Sequence, residues 1–183
     1  MKLLGLLRHA KSDWDDIGLR DFDRGLNDRG RRGAALMGEH IRDHGVKWAH
    51  LLASPAERVK KTLQASGLDD GSQDAIDWQD KAYLASSATL MDLLRSVEGN
   101  PPSILLAAHN PGLQELIFDL VAPEFENGLF DAAAKKYPTA TFAVIELPID
   151  DWSDLRPDTG KLVHLARPRD LDPELGPEVM GPS

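Results

Sequence analysis

The chain has 183 residues, the size of one domain built on a single hydrophobic core. Apolar residues make up 42% and charged residues 28%, ordinary globular values that argue against a disordered chain, a fibrous repeat or a membrane bundle. Thirty acidic residues against 21 basic ones give a net charge of -9, which opposes binding of a nucleic acid, and the lack of cysteine excludes disulfides, thiolate catalysis and Cys-ligated metals.

The apolar run Leu3–Leu7 is too short for a secretory signal and ends on Arg8 and His9; no stretch approaches the roughly 20 apolar residues that span a bilayer. The expectation is a cytoplasmic protein, without membrane contact and monomeric. Lys2–Leu7 reads as a strand buried on both faces. Lys11–Asp28 is polar and aperiodic, a long loop of the kind that often carries function. Asn27 is placed to cap a helix to about His44, with Gly33, Leu36, Met37, His40 and Ile41 on one face and Gly45 as the stop.

Trp48–Ala53 reads as a second buried strand. Ser54-Pro55-Ala56-Glu57 has the form of a capping box, so a helix is expected there, carrying Val59 and Leu63 inward and ending near Gly67. Asp69–Asp74 reads as a surface loop and Ile76–Trp78 as a brief strand. Ser86 or Ser87 caps a third helix with Leu90, Leu93, Leu94 and Val97 on its apolar face, closed by Gly99-Asn100-Pro101-Pro102. Ser103–Ala108 is a strand, after which Asn110 can cap a helix bearing Leu113, Leu116, Ile117 and Leu120. Thr141–Leu147 and Lys161–Ala166 read as closing strands. The expected organisation is one domain over residues 1–170 and a Pro-rich tail over 171–183, loosely docked or mobile.

Alternating strands and helices predict a three-layer α/β/α sandwich around a mostly parallel sheet, with ligands beyond the carboxyl ends of the strands. Three such junctions carry residues suited to phosphate: Arg8 and His9 after the first strand, Arg58 after the second, and His109 after the fourth. Two guanidiniums can grip phosphoryl oxygens, a neutral His9 can attack phosphorus, and His109 can stabilise charge on the transferring group. Such a scheme needs no metal or other cofactor.

The segments LLRHAKS, SPAERVKKT and AAHNPGL resemble the motifs of the histidine phosphatase superfamily, with its phosphoglycerate-mutase-like fold, and are most similar to its SixA-type phosphohistidine phosphatases. The resemblance extends through RDFDRGLNDRGRRGA, YLASSATLMDLL and KKYPTATFAVIEL, nearly all of residues 1–170. It implies that His9 accepts the phosphoryl group, with Arg8, Arg58 and His109 completing a phosphate-binding pocket. It also implies a phosphohistidine-bearing protein as substrate, such as a phosphotransfer domain. Many larger relatives place a carboxylic acid after the third strand to protonate the leaving alcohol, whereas Ala82-Tyr83-Leu84-Ala85 has none. That departure favours a phosphoramidate, which leaves as imidazole, over an ester. The absence of a large helical insertion points to an open groove that admits a protein side chain.

Asp80, Asp13, Asp15 and Asp16 are the candidate substitutes for the acid, and Lys11 and Arg24 are candidates to line the groove; Lys135-Lys136-Tyr137-Pro138-Thr139 reads as a turn entering the fifth strand, with Thr139 kept in view as a substrate contact by the resemblance. Ser54 reads as a cap rather than a nucleophile, and Trp14 is the tryptophan nearest the site. His40 and His44, four apart on a helix, lack an obvious third ligand for a metal, and His50 and His164 are assigned no role. The alternatives to phosphohistidine hydrolysis are a small-molecule phosphomonoesterase on the same site, a noncatalytic phosphohistidine-binding module, and a metallohydrolase using His9 and His109, which two nearby guanidiniums disfavour.

Overall fold

The computed structural model of the chain describes residues 1–71 and 76–176. Strands β1 (Lys2–Arg8), β2 (His50–Ala53), β3 (Asp77–Trp78), β4 (Ser103–Ala108), β5 (Phe142–Leu147) and β6 (Lys161–Ala166) form one sheet in the order β3-β2-β4-β1-β5-β6. The first four run parallel, β5 is antiparallel to β1, and β6 is antiparallel to β5. β1 lies centrally with Leu6 and Leu7 opposite Leu106 and Ala107 of β4, so their carboxyl ends emerge side by side.

The two faces are covered by different helices. Leu7, Ala53, Leu105 and Val144 meet Met37 and Ile41 of α1 (Asp28–His44) and Val59 and Leu63 of α2 (Glu57–Ala65). Leu4, Leu6, Leu106 and Ile145 face Leu90 and Leu94 of α3 (Ser87–Arg95), Leu116 and Ile117 of α4 (Gly112–Leu120) and Ala133 of α5 (Gly128–Lys135). Strand residues alternate between these cores as a period of two requires. Each fully buried aliphatic side chain contributes about 1.5–3 kcal/mol, and the layering follows from burying both faces.

Local signals act largely as the sequence indicates. Asn27 Oδ1 accepts from Gly30 N at 2.8 Å to start α1, and Gly45, at a φ of 92°, ends it. Ser86, rather than Ser87, caps α3 by accepting from Thr89 N. Asn110 Oδ1 accepts from Gln114 N, holding the first turn of α4. A Cβ on Gly112 would lie 2.1 Å from the Ala85 carbonyl oxygen, so only glycine lets α4 start against the segment that carries Tyr83.

Other boundaries differ. β2 begins at His50 rather than Trp48, because the Ala49 N–H is taken by Ser103 Oγ instead of a neighbouring strand. The capping box at Ser54 does not form: Ser54 Oγ accepts from Ala56 N at 3.3 Å, closing a tight turn, and α2 starts at Glu57 after an Ala56 cap without a side-chain bond. Helix α5, capped by Asn127 Oδ1, has no counterpart in the periodicity reading, nor does the short α6 (Pro168–Leu171). The chain beyond β6 packs on α1 as far as Gly176: Arg29 Nη2 donates to the Gly176 carbonyl at 2.7 Å, and Arg32 lies 3.5 Å from Asp172 and 3.4 Å from Glu174. Residues 177–183 of the expected tail, and 72–74 of the loop expected over Asp69–Asp74, lie outside the described residues. No helix among the described residues is long and apolar enough to cross a membrane.

Candidate active site

β1 delivers Arg8 and His9 to the carboxyl end of the sheet, and the main chain there is fixed on both sides. His9 N donates to Ala108 O at 3.1 Å, and the His9 carbonyl accepts from Ala140 N at 2.9 Å. Thr62 Oγ1 on α2 accepts from Ala10 N at 2.8 Å while donating to Arg58 O, so one hydroxyl ties the His9 segment to the helix that carries Arg58. His109 leaves the adjacent strand β4, and its ring centroid is 5.3 Å from that of His9. The structure thus brings all four expected residues, Arg8, His9, Arg58 and His109, to one sheet end.

His9 is 7% exposed, and its Nδ1 lies 2.8 Å from the Ala10 carbonyl oxygen. A carbonyl can only accept, so Nδ1 carries the proton and Nε2 keeps its lone pair. Burial lowers the His9 pKa to about 4, and the Arg58 and Arg8 guanidiniums push it the same way. Burial likewise takes His109 down to about 3, reinforced by His9 and by the same two arginines. Both rings are therefore neutral near pH 7. His109 Nε2 is 2.7 Å from Ser54 Oγ, and its buried Nδ1 has no protein partner among the described residues.

Arg8 donates through Nη1 to the Tyr137 carbonyl at 2.9 Å, while its buried Nε has no partner among the described residues. Asn110 Nδ2 donates to that same carbonyl at 3.0 Å, linking the ends of β1 and β4 to the turn before β5. Burial lowers the Arg8 pKa from its ordinary value, yet a guanidinium stays charged at neutral pH. Arg58 is anchored from the long loop: Nη1 donates to the Asp21 carbonyl at 2.8 Å and Nη2 to Asp21 Oδ2 at 3.0 Å. Tyr83 OH donates to the same Oδ2 at 2.5 Å, and its ring meets His109 edge-on at 5.5 Å between centroids.

Two residues of this arrangement escape sequence reasoning. Ser54 is a partner of His109 instead of a helix cap, and Asp21 is the carboxylate that reaches the pocket. The pairing of β2 with β4 is what sets Ser54 beside His109, and a capping pattern contains no hint of it. For Asp21 the only signal is its membership in the long polar loop. The other loop acids are engaged elsewhere: Asp13 Oδ1 accepts from Asp15 N, and Asp16 Oδ1 from Gly18 N, while Asp15 and Asp80 are exposed.

Arg24 does not line the groove; it is 8% exposed, bonds the Asp16 and Leu19 carbonyls, and lies over the Trp14 ring, bracing the loop from within. Lys11 and Thr139 instead border a neighbouring cavity of about 220 Å³, with Arg29, Lys136 and Arg169 also on its wall. His40 and His44 meet His164, whose Nε2 is 2.8 Å from His40 Nε2. Among the described residues no group of three His, Cys, Asp or Glu is arranged to hold a metal ion.

The lowered histidine pKa values define an acid limit on stability. In the unfolded chain His9 and His109 take up protons near pH 6.5, whereas the folded protein resists until about pH 4 and pH 3. Their contribution is complete above pH 6.5 and is lost as the pH falls from there through about 4 for His9 and about 3 for His109, by on the order of several kcal/mol in all. Thermal melting points are expected to drop over that interval, and a flat profile between pH 7 and pH 4.5 would contradict it.

The sequence matches the histidine phosphatase superfamily (branch 1) over residues 4–80. An uncharacterised protein of Mycobacterium tuberculosis is 30% identical over 164 residues, covering 89% of this chain and all of that protein. The structure of a protein assigned as phosphohistidine phosphatase SixA from Agrobacterium tumefaciens superposes with a TM-score of 0.72 at 28% identity, covering 90% of this chain and 97% of the other. A second structure with the same assignment, from Nakamurella multipartitia, gives a TM-score of 0.78 at 24% identity over 91% and 96% of the two chains. The chain belongs to the histidine phosphatase superfamily, with the fold of its SixA-type members.

Proposed function

We propose that the protein hydrolyses phosphohistidine on a protein substrate, in two steps through a phosphorylated His9. The observation that carries the reading is a buried, neutral His9 whose Nδ1 is tied to Ala10 O, next to the guanidiniums of Arg8 and Arg58. In the first step the His9 Nε2 lone pair forms a bond to phosphorus as the P–N bond of the substrate breaks, its electron pair passing to the departing imidazole. Arg8 and Arg58 hold the nonbridging oxygens. Ser54 donates its hydroxyl proton to His109 Nε2, which leaves the His109 proton on Nδ1 to stabilise the transferring group. In the second step water attacks phospho-His9, phosphate departs with the water's oxygen, and the P–N electron pair returns to Nε2.

Substrate class is supported by what stands after β3. Tyr83, already donating to Asp21, replaces the carboxylic acid that an alcohol would need, and the alkoxide of an ester is a far poorer leaving group than imidazole. The likeness to the Agrobacterium protein points the same way. The test is phosphate release from a phosphohistidine-bearing phosphotransfer domain at substoichiometric enzyme, with chelator present. Multiple turnovers are expected, with sugar phosphates slower by about 10²-fold or more. Faster turnover of the ester would identify a phosphomonoesterase, and binding without release would identify a recognition module.

A further inference from the structure

The carboxylate of Asp21 is arranged unevenly. Oδ2 accepts from both Arg58 Nη2 and Tyr83 OH, whereas no donor among the described residues reaches Oδ1. The Asp21 side chain is 43% exposed, against 5% for that of Arg58, so one carboxylate oxygen with open acceptor capacity stands at the solvent side of a buried cationic pocket.

We propose that Asp21 is a specificity-determining residue that accepts, through Oδ1, the ring N–H of an incoming phosphohistidine and so selects the substrate in its phosphoimidazolium form. The inference rests on the phosphohistidine reading above and names the source of the proton that the pocket does not donate. When His9 Nε2 bonds to phosphorus and the P–N bond breaks, the electron pair goes to the departing ring nitrogen. With a proton already on the other nitrogen the ring leaves as neutral imidazole; without it the product is an imidazolide anion, a far more basic species. An alkyl phosphate has no corresponding ring nitrogen to protonate, so the same carboxylate gives it no help.

Asp21 cannot act instead as the acid, since the bonds from Tyr83 and Arg58 hold its carboxyl below the usual carboxylate range. The charged and titratable groups that face it are Arg58 from α2, Tyr83 from the segment after β3 and, at longer range, His109 after β4 and His9 after β1. Arg58 anchors the carboxylate without neutralising Oδ1, and the acceptor role is open across neutral pH.

The experiment compares kcat/KM of wild type, Asp21→Asn and Asp21→Glu on a phosphohistidine phosphotransfer domain and on p-nitrophenyl phosphate, whose leaving group departs without a proton. Asp21→Asn is expected to lose about tenfold or more in the ratio of the two, with Asp21→Glu recovering part of it. The wild-type rate on phosphohistidine should fall as alkaline pH strips the ring proton, and that limb should move to lower pH in Asp21→Asn. Equal losses on both substrates with an unmoved limb would overturn the inference and leave Asp21 as an anchor for Arg58. A wild-type rate that rises as the ring deprotonates would overturn it without recourse to a variant. Hydrolysis of the aryl phosphate but not of phosphohistidine would defeat the proposed function, and this inference with it.

Discussion

His9→Ala is expected to abolish phosphate release from phosphohistidine, with kcat falling by more than about 10⁴-fold and no labelled phosphoenzyme trapped on an alkaline denaturing quench, which preserves a P–N bond. In the proposed mechanism the imidazole is the group that bonds to phosphorus, and the two nearest candidates to replace it are engaged: His109 is hydrogen-bonded through Nε2 to Ser54, and Ser54 is buried within the β2 turn. Affinity for phosphate should persist, because Arg8 and Arg58 remain. Rapid quench with labelled substrate and equilibrium binding of inorganic phosphate separate the two effects. The wild-type acid limb in kcat/KM should also reflect the lowered His9 pKa: a low folded value keeps Nε2 unprotonated as the pH falls from 7, and activity is lost only as it passes through about 4. An acid limb near 6.5 would show that the imidazole is more solvated than its burial implies.

Arg58→Ala is the second large effect, with kcat/KM expected to fall by about 10²–10³-fold. The guanidinium has two jobs that the alanine removes together. It supplies charge to the pocket, and it ties the long loop to α2 through the Asp21 carbonyl and carboxylate. Arg58→Lys should recover little, since a single ammonium cannot reproduce the spacing of two Nη donors. Steady-state kinetics on both variants check this; recovery of most of the activity by lysine would show that charge alone suffices.

The residues differ in how openly the sequence announces them. Apolar runs, caps and stops are local, and so Ser103–Ala108, Lys161–Ala166 and the α1 limits Asn27 and Gly45 are legible as they stand. The four pocket residues are legible too, because Arg8 ends β1, His9 and His109 follow β1 and β4, Arg58 lies in the first turn of the helix after β2, and strand ends converge in a parallel sheet. Ser54 misleads because the same four letters fit a capping box, and only the pairing of β2 with β4 shows that its hydroxyl is wanted by His109. Asp21 is hidden differently: five other acids crowd residues 13–28, and the one that turns inward is chosen by Arg58 and Tyr83, 37 and 62 positions away. Helix α5 escapes because it is short and only Ala133 of it is buried, the helix being held by an Asn127 cap and by Gln114 Nε2 bonding to the Ala133 and Ala134 carbonyls.

In the proposed mechanism the hydrogen bond from His9 Nδ1 to the Ala10 carbonyl also fixes the regiochemistry of the intermediate. With Nδ1 committed to a main-chain acceptor one residue away, the phosphoryl group can reside only on Nε2, the tele isomer. Antibodies that discriminate the two phosphohistidine isomers would therefore recognise the trapped enzyme by one reagent and not the other.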